Sequence, residues 1–177
     1  RAVGIYPENK EPEWHRRPGV DLTARLLAEL AAFGYSDSAD PVFVQCFDAA
    51  ELARVKDELG CRLKLVQLVG AEPPYAELLT AEGLRHVADY AVGLGPHHSQ
   101  LVASGSGKPR LMPLIEQAHG CGLQLHPYTF RTDELPSYAR TLEEWLQIFF
   151  EDARVEGVFC DHPDVAVRVR AGASKVQ

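Results

Sequence analysis

Val42-Phe43-Val44-Gln45-Cys46-Phe47-Asp48-Ala49-Ala50-Glu51-Leu52-Ala53-Arg54-Val55-Lys56-Asp57-Glu58-Leu59-Gly60, continued by Leu63–Val69 (LKLVQLV), is the stretch that decides the fold. Val42–Phe47 is a short apolar run rich in valine and phenylalanine and predicts a strand. The period then changes. Asp48 and Glu51 form a capping-box-like start, Ala49–Leu59 predicts a helix, and Gly60 ends it. Leu63–Val69 predicts a second strand. Strand, helix and strand within about 30 residues make a βαβ unit, which joins parallel neighbours.

The same alternation runs outward in both directions. Upstream lie a strand at Val3–Pro7 and a helix at Asp21–Phe33, with Leu22, Leu26, Leu30 and Phe33 on one face, Asp21 as N-cap and Gly34 as stop. Downstream, the Pro-rich loop Gly70–Tyr75 leads to a helix at Thr80–Tyr90 and a strand at Ala91–Leu94 that ends in Gly95-Pro96. A Gly/Ser loop at Ser104–Pro109 precedes a helix at Leu111–His119, stopped at Gly120, and a strand at Leu123–Tyr128. Thr141 and Glu144 open a helix at Leu142–Ala153. A strand at Gly157–Asp161 follows, and Pro163 opens a final helix near Asp164–Val169.

Six strands and six helices in strict alternation predict an α/β fold with a parallel sheet, in one domain over residues 1–177. The spacing fits either a (β/α)8 barrel or a doubly wound sheet. No G-x-G-x-x-G or P-loop run is present, which weakens a nucleotide-binding reading. Six units do not close an eight-stranded barrel. The expectation is that two βα units precede Arg1, because the chain opens without Met directly into Ala2–Tyr6, while the tail Ala171–Gln177 is polar.

The chain has 177 residues and a net charge of −7, and is 46% hydrophobic and 24% charged. That composition supports a real core. It argues against nucleic acid or an anionic membrane surface as partner, and no apolar run reaches membrane-spanning length. Cys46, Cys61, Cys121 and Cys160 have no metal-ligand spacing, so zinc is not expected; Cys46 and Cys160 read as buried thiols.

Polar residues at the C-terminal ends of the strands carry the chemistry of such folds. Ile5-Tyr6-Pro7-Glu8-Asn9-Lys10 is extended, so Tyr6, Glu8 and Lys10 share one side. A carboxylate beside an ammonium suits a divalent cation and a phosphate together, since hard cations take oxygen ligands. From spacing alone an ordinary Glu–Lys ion pair is the better reading. Phe47 ends its strand at the rim, either as a slot wall or as core. Gln67 points either to a ligand or to a polar neighbour. His126 and Tyr128 share a side of their strand, and a rim histidine is an acid, a phosphate donor or, most commonly, a core-edge hydrogen bonder. His97 and His98 face opposite ways and make a poor metal pair. Asp161 caps the last helix or braces loops, and the N–H groups opening that helix could meet a phosphate.

Taken in order, these segments resemble the glycerophosphodiester phosphodiesterases. Ile5-Tyr6-Pro7-Glu8-Asn9-Lys10 is similar to the family's Glu-x-Lys strand, and Val44-Gln45-Cys46-Phe47-Asp48 to its next strand end. Leu65–Leu68, Val92–Pro96, Leu125–Arg131 and Gly157–Asp164 follow in the family's order, over essentially the whole chain and closest to its periplasmic bacterial long form. The resemblance implies a TIM-type barrel, a divalent metal, Ca2+ or Mg2+, and hydrolysis of glycerophosphodiesters such as glycerophosphocholine to glycerol 3-phosphate and an alcohol. It implies metal binding for Glu8 and substrate-phosphate binding for Lys10, with Phe47, His126 and Tyr128 at the pocket wall. Cys160 and His162 depart from the family pattern. The family's catalytic histidines and its Glu-x-Asp metal pair would lie before Arg1, so no catalytic acid or base is assigned here. The chain alone is expected to be inactive, and a periplasmic or secreted location follows from the resemblance only. A cyclising barrel lyase and a non-catalytic anion- or sugar-binding protein are the alternatives.

Overall fold

The computed structural model describes residues 3–71, 73–105 and 107–173. Parts of the stretches read above as the chain start, the Pro-rich loop, the Gly/Ser loop and the polar tail lie outside them.

Four strands form one parallel sheet in the order β1 (Phe43–Cys46), β2 (Lys64–Val69), β3 (Gly93–Pro96), β6 (Gln124–Leu125). Two further segments extend it. Residues 5–9 lie parallel to β1 through Ile5↔Val42 and Glu8↔Gln45, and Phe130 bridges to Cys160 on the far side. Six parallel segments therefore lie in sequence order. A doubly wound sheet would reverse its strand order, so this is the arc of a TIM-type (β/α)8 barrel. The arc curls until Tyr6, in the first segment, touches Phe159, in the last, with ring centroids 4.9 Å apart.

The expected first strand is reduced to bridges because of Pro7. Phe43 and Gln45 donate to the carbonyls of Ile5 and Pro7, and Asn9 donates to Gln45, but Pro7 has no N–H for the rung between. Pro96 has the same effect where β3 meets β6. His126 still donates to Leu94 and Tyr128 to Pro96, but Pro96 returns no N–H, and the predicted strand Leu123–Tyr128 shrinks to two residues plus the His97↔Tyr128 bridge.

The helices follow their predicted starts. α2 (Leu22–Ala32) starts at Asp21, which accepts from the Ala24 N–H; α3 (Ala49–Asp57) starts at Asp48; α4 (Ala81–Tyr90) starts at Thr80. α6 (Leu142–Gln147) runs into a π turn over Ile148–Asp152, and α7 (Pro163–Ala173) is longer than expected. Elements that were not legible include a short helix α1 (Pro12–Arg16), and a hairpin of β4 (Val102–Gly105) with β5 (Lys108–Leu111) where a plain loop was expected. α5 (Leu114–Gly120) begins after Pro113, later than its apolar pattern suggests. The core lies between sheet and helices, with Trp145, Phe130 and Phe149 fully buried and the Phe130 ring packed against Trp145 at 4.5 Å and Phe149 at 4.7 Å.

Candidate active site

The C-terminal end of residues 5–10, the end of β1 and the loop after β2 enclose a cavity of about 830 Å³. Glu8 and Lys10 both line it, with the ammonium Nζ 3.8 Å from a carboxylate oxygen of Glu8. The Lys10 side chain is three-quarters exposed, whereas that of Glu8 is largely covered. Phe47 forms a wall. Its ring lies 5.8 Å from that of Tyr75 and 6.0 Å, edge to face, from that of Tyr128. The Tyr128 hydroxyl donates to the Val69 carbonyl at 3.0 Å, which holds this aromatic across the strand ends. Glu8, Lys10 and Phe47 are thus brought together at one mouth, and Tyr128 stands against Phe47 without lining the cavity itself.

His126 is not part of that mouth. It lies deeper inside the arc, beside Tyr6, Phe43 and Phe159, and lines a separate cavity of about 550 Å³. Its Nδ1 is 2.7 Å from the Tyr6 hydroxyl. Burial pulls the imidazole down to about 4, with Glu156 opposing and Arg170 adding, and burial pushes the Tyr6 phenol upward. Both groups are therefore neutral at pH 7, and they share one hydrogen bond whose direction is set by the imidazole tautomer.

Other polar candidates are structural. Gln67 faces the helices, donates to the carbonyls of Phe47 and Leu68, and accepts from the Tyr90 hydroxyl at 2.8 Å. The rings of His97 and His98 lie 4.1 Å apart, contrary to the expected opposite orientations. The turn after β3 is a 3-10 helix in which His97 caps through its side chain while His98 packs on Trp145. Asp161 lies 3.9 Å from Arg131 on the surface. Cys46 is buried as expected, and burial raises its thiol to about 12; Cys160 is only half-buried, because little covers the last segment of the arc.

Sequence reasoning missed Trp14 and Tyr75, which also line the mouth. It also missed a buried network behind that mouth. Asn9 Nδ2 donates to Thr23 Oγ1 at 2.5 Å, and the Thr23 hydroxyl donates to Glu51. Arg16 and Arg54 both donate to Glu51, at 2.5 and 2.9 Å, and Arg54 also reaches Asp21. Glu51 was read as the return arm of a capping box. Asp48 does accept from the Glu51 N–H, but the Glu51 side chain turns to the two arginines instead. Burial opposes its ionisation; the hydrogen bonds from Arg54 and Thr23 and the charges of Arg54 and Arg16 outweigh that and hold it below the usual carboxylate range.

A divalent cation fits this mouth only in part. Ca2+ takes six to eight oxygen ligands. Glu8 offers one carboxylate, and among the described residues no cluster of three or more His, Cys, Asp or Glu could hold a metal.

A curled parallel βα arc with a carboxylate–ammonium pair at the C-terminal rim defines a TIM-barrel-type protein with charged groups at its mouth. Residues 1–165 match the glycerophosphoryl diester phosphodiesterase family, and the chain belongs to it. It is 33% identical over 95% of its length to a glycerophosphodiester phosphodiesterase of Treponema pallidum, and 32% identical over 97% to one of Haemophilus influenzae. The chain spans about half the length of these curated relatives, 54% in each case. Its fold is similar to the crystal structure of a protein assigned as a glycerophosphoryl diester phosphodiesterase from Silicibacter pomeroyi, with a TM-score of 0.66 at 16% identity, over 96% of this chain and 50% of that one. A counterpart from Agrobacterium tumefaciens gives 0.62 at 16% identity, over 99% and 60%.

Proposed function

We propose that this chain supplies the Glu8–Lys10 part of a site that hydrolyses glycerophosphodiesters to glycerol 3-phosphate and an alcohol. The observation that carries the reading is the Glu8–Lys10 pair, 3.8 Å apart and lining a cavity walled by Phe47. Glu8 contributes one carboxylate to a divalent cation, Ca2+ or Mg2+. Lys10 binds the phosphate oxygens and stabilises the negative charge that grows on them during attack at phosphorus. Phe47 and Tyr128 close the wall around the organic part of the substrate and keep bulk water out. His126, neutral and bound to Tyr6, supports the floor beneath the mouth. The remaining metal ligands and the proton-transferring histidines come, on this reading, from sequence beyond these 177 residues, so the chain alone is inactive. Family membership and the names of the relatives support the activity. Among the described residues no helix is long and apolar enough to cross a membrane, the net charge is −7, and a small-molecule substrate is the only partner proposed. A periplasmic or secreted location is part of the same proposal.

The test is release of glycerol 3-phosphate from glycerophosphocholine with Ca2+, with Mg2+ and with chelator, for this chain and for a version extended upstream. Metal-dependent turnover in the extended form only is the expected result. Turnover by the short chain would overturn the account of the missing ligands. Silence from both would favour an anion-binding role.

A further inference from the structure

Asn9 stands between Glu8 and Lys10, and it is the most firmly held residue of that segment. Its backbone N–H donates to Gln45 at 2.9 Å, and its carbonyl accepts from the Cys46 thiol at 3.0 Å. Its side chain enters the layer between sheet and helices and ends on Thr23. Asn9, Thr23 and Glu51 are each at most 3% exposed. Alternation along an extended segment then directs the Glu8 and Lys10 side chains to the opposite side, and all three residues border the cavity.

The direction of the hydrogen bonds follows from one charge. An ionised carboxylate only accepts, so the Thr23 hydroxyl must give its proton to Glu51. Thr23 then has only lone pairs to offer, and Asn9 must present its NH2 group rather than its oxygen. Glu51 thereby selects one orientation of the Asn9 amide. The same carboxylate binds Arg16 of α1, the helix that carries Trp14 and His15 along the cavity edge.

We propose that Glu51 is a positioning residue of the active site, acting through Thr23 and Asn9 to present Glu8 and Lys10 to the cavity and through Arg16 to set its α1 wall. This rests on the reading of Glu8 and Lys10 given under Proposed function, but its test does not depend on turnover. Glu51 touches neither substrate nor reacting atoms in this role.

Amide hydrogen exchange on this chain, followed by NMR, reads the clamp directly. Thr23→Val keeps the shape and removes the hydroxyl; Thr23→Ser keeps the hydroxyl; Glu51→Gln removes the acceptor-only charge. Thr23→Val and Glu51→Gln should speed exchange of the Asn9 amide about tenfold or more relative to the Val92 amide, which bonds to Leu65 in the middle of the sheet. Thr23→Ser should leave that ratio unchanged. An unchanged ratio in Thr23→Val or Glu51→Gln, or loosening in Thr23→Ser equal to that in Thr23→Val, would overturn the proposal. Uniform acceleration of Asn9 and Val92 would overturn it too, since that is plain destabilisation. In the polypeptide that turns over glycerophosphocholine, Thr23→Val should raise the divalent-ion concentration for half-maximal rate severalfold, and Thr23→Ser should not. If Glu8→Gln left that concentration unchanged, the metal reading of Glu8 would fail while the exchange result stood.

Discussion

The hydroxyl of Tyr6 lies 2.7 Å from Nδ1 of His126, joining the first and fifth segments of the arc across its interior, 120 residues apart in sequence. A flat sheet would hold these segments four strand spacings apart, at about 4.8 Å each. Their direct contact measures how strongly the sheet curls, and it shields both groups from water. Tyr6→Phe removes one partner of this hydrogen bond and leaves the buried Nδ1 of His126 unpaired, at a cost of about 1–3 kcal/mol. Urea unfolding should show a lower midpoint with an unchanged slope.

His126 and His98 are both drawn from 6.5 down to about 4, by burial first, with Arg170 adding at His126 and His97 at His98. Their folded values lie below their unfolded values, so between pH 6.5 and 4 the unfolded chain binds more protons. The stability they contribute is present in full above about pH 6.5 and is lost as pH falls toward 4, on the order of 3 kcal/mol for each at most. Imidazole NMR signals of these two residues should not titrate above pH 5 in the folded protein. Titration near 6.5 would contradict their burial as neutral groups.

Glu51→Ala strips the shared acceptor from Arg16, Arg54 and Thr23. Breaking a buried ion pair leaves its partner uncompensated, and a loss of about 3 kcal/mol is expected. The low end of the usual range applies because Arg16 reaches solvent and can rehydrate. Glu51→Gln should lose less. Thermal melts of the two variants check the order.

Gly95 faces the interior of the arc, where an added Cβ would stand 2.6 Å from Leu68 Cδ2 and 3.3 Å from the His126 carbonyl oxygen. Gly95→Ala should cost about 1–3 kcal/mol by overpacking. Combining it with Leu68→Ala should recover part of that loss. Strict additivity of the two changes, measured as a double-mutant cycle, would show that the two side chains do not compete for the space.

At the mouth, Lys10→Met should lower kcat/KM on the order of 100-fold in the polypeptide that turns over substrate, because a cation aimed at developing charge is lost. Phe47→Ala should act mainly on KM, since it removes a wall and no charge. Equal effects of both on KM alone would place Lys10 in ground-state binding only.

The α/β class, the helix caps at Asp21, Asp48 and Thr141, and the placement of Glu8, Lys10 and Phe47 at strand ends could all be read from the chain, because periodicity and capping are local properties. Barrel or doubly wound was not decidable locally, since it depends on which strands become neighbours. Only the assembled order, with Tyr6 reaching His126 and Phe159, decided it. The same holds for the polar residues. Glu51 looked like half of a capping box and Gln67 like a ligand candidate, because a side chain's partner 14 to 35 residues away leaves no mark on its own sequence neighbours. Tertiary packing brought Asn9, Thr23 and Arg16 around Glu51, and a buried carboxylate stays ionised only where such charged and hydrogen-bonding partners meet it.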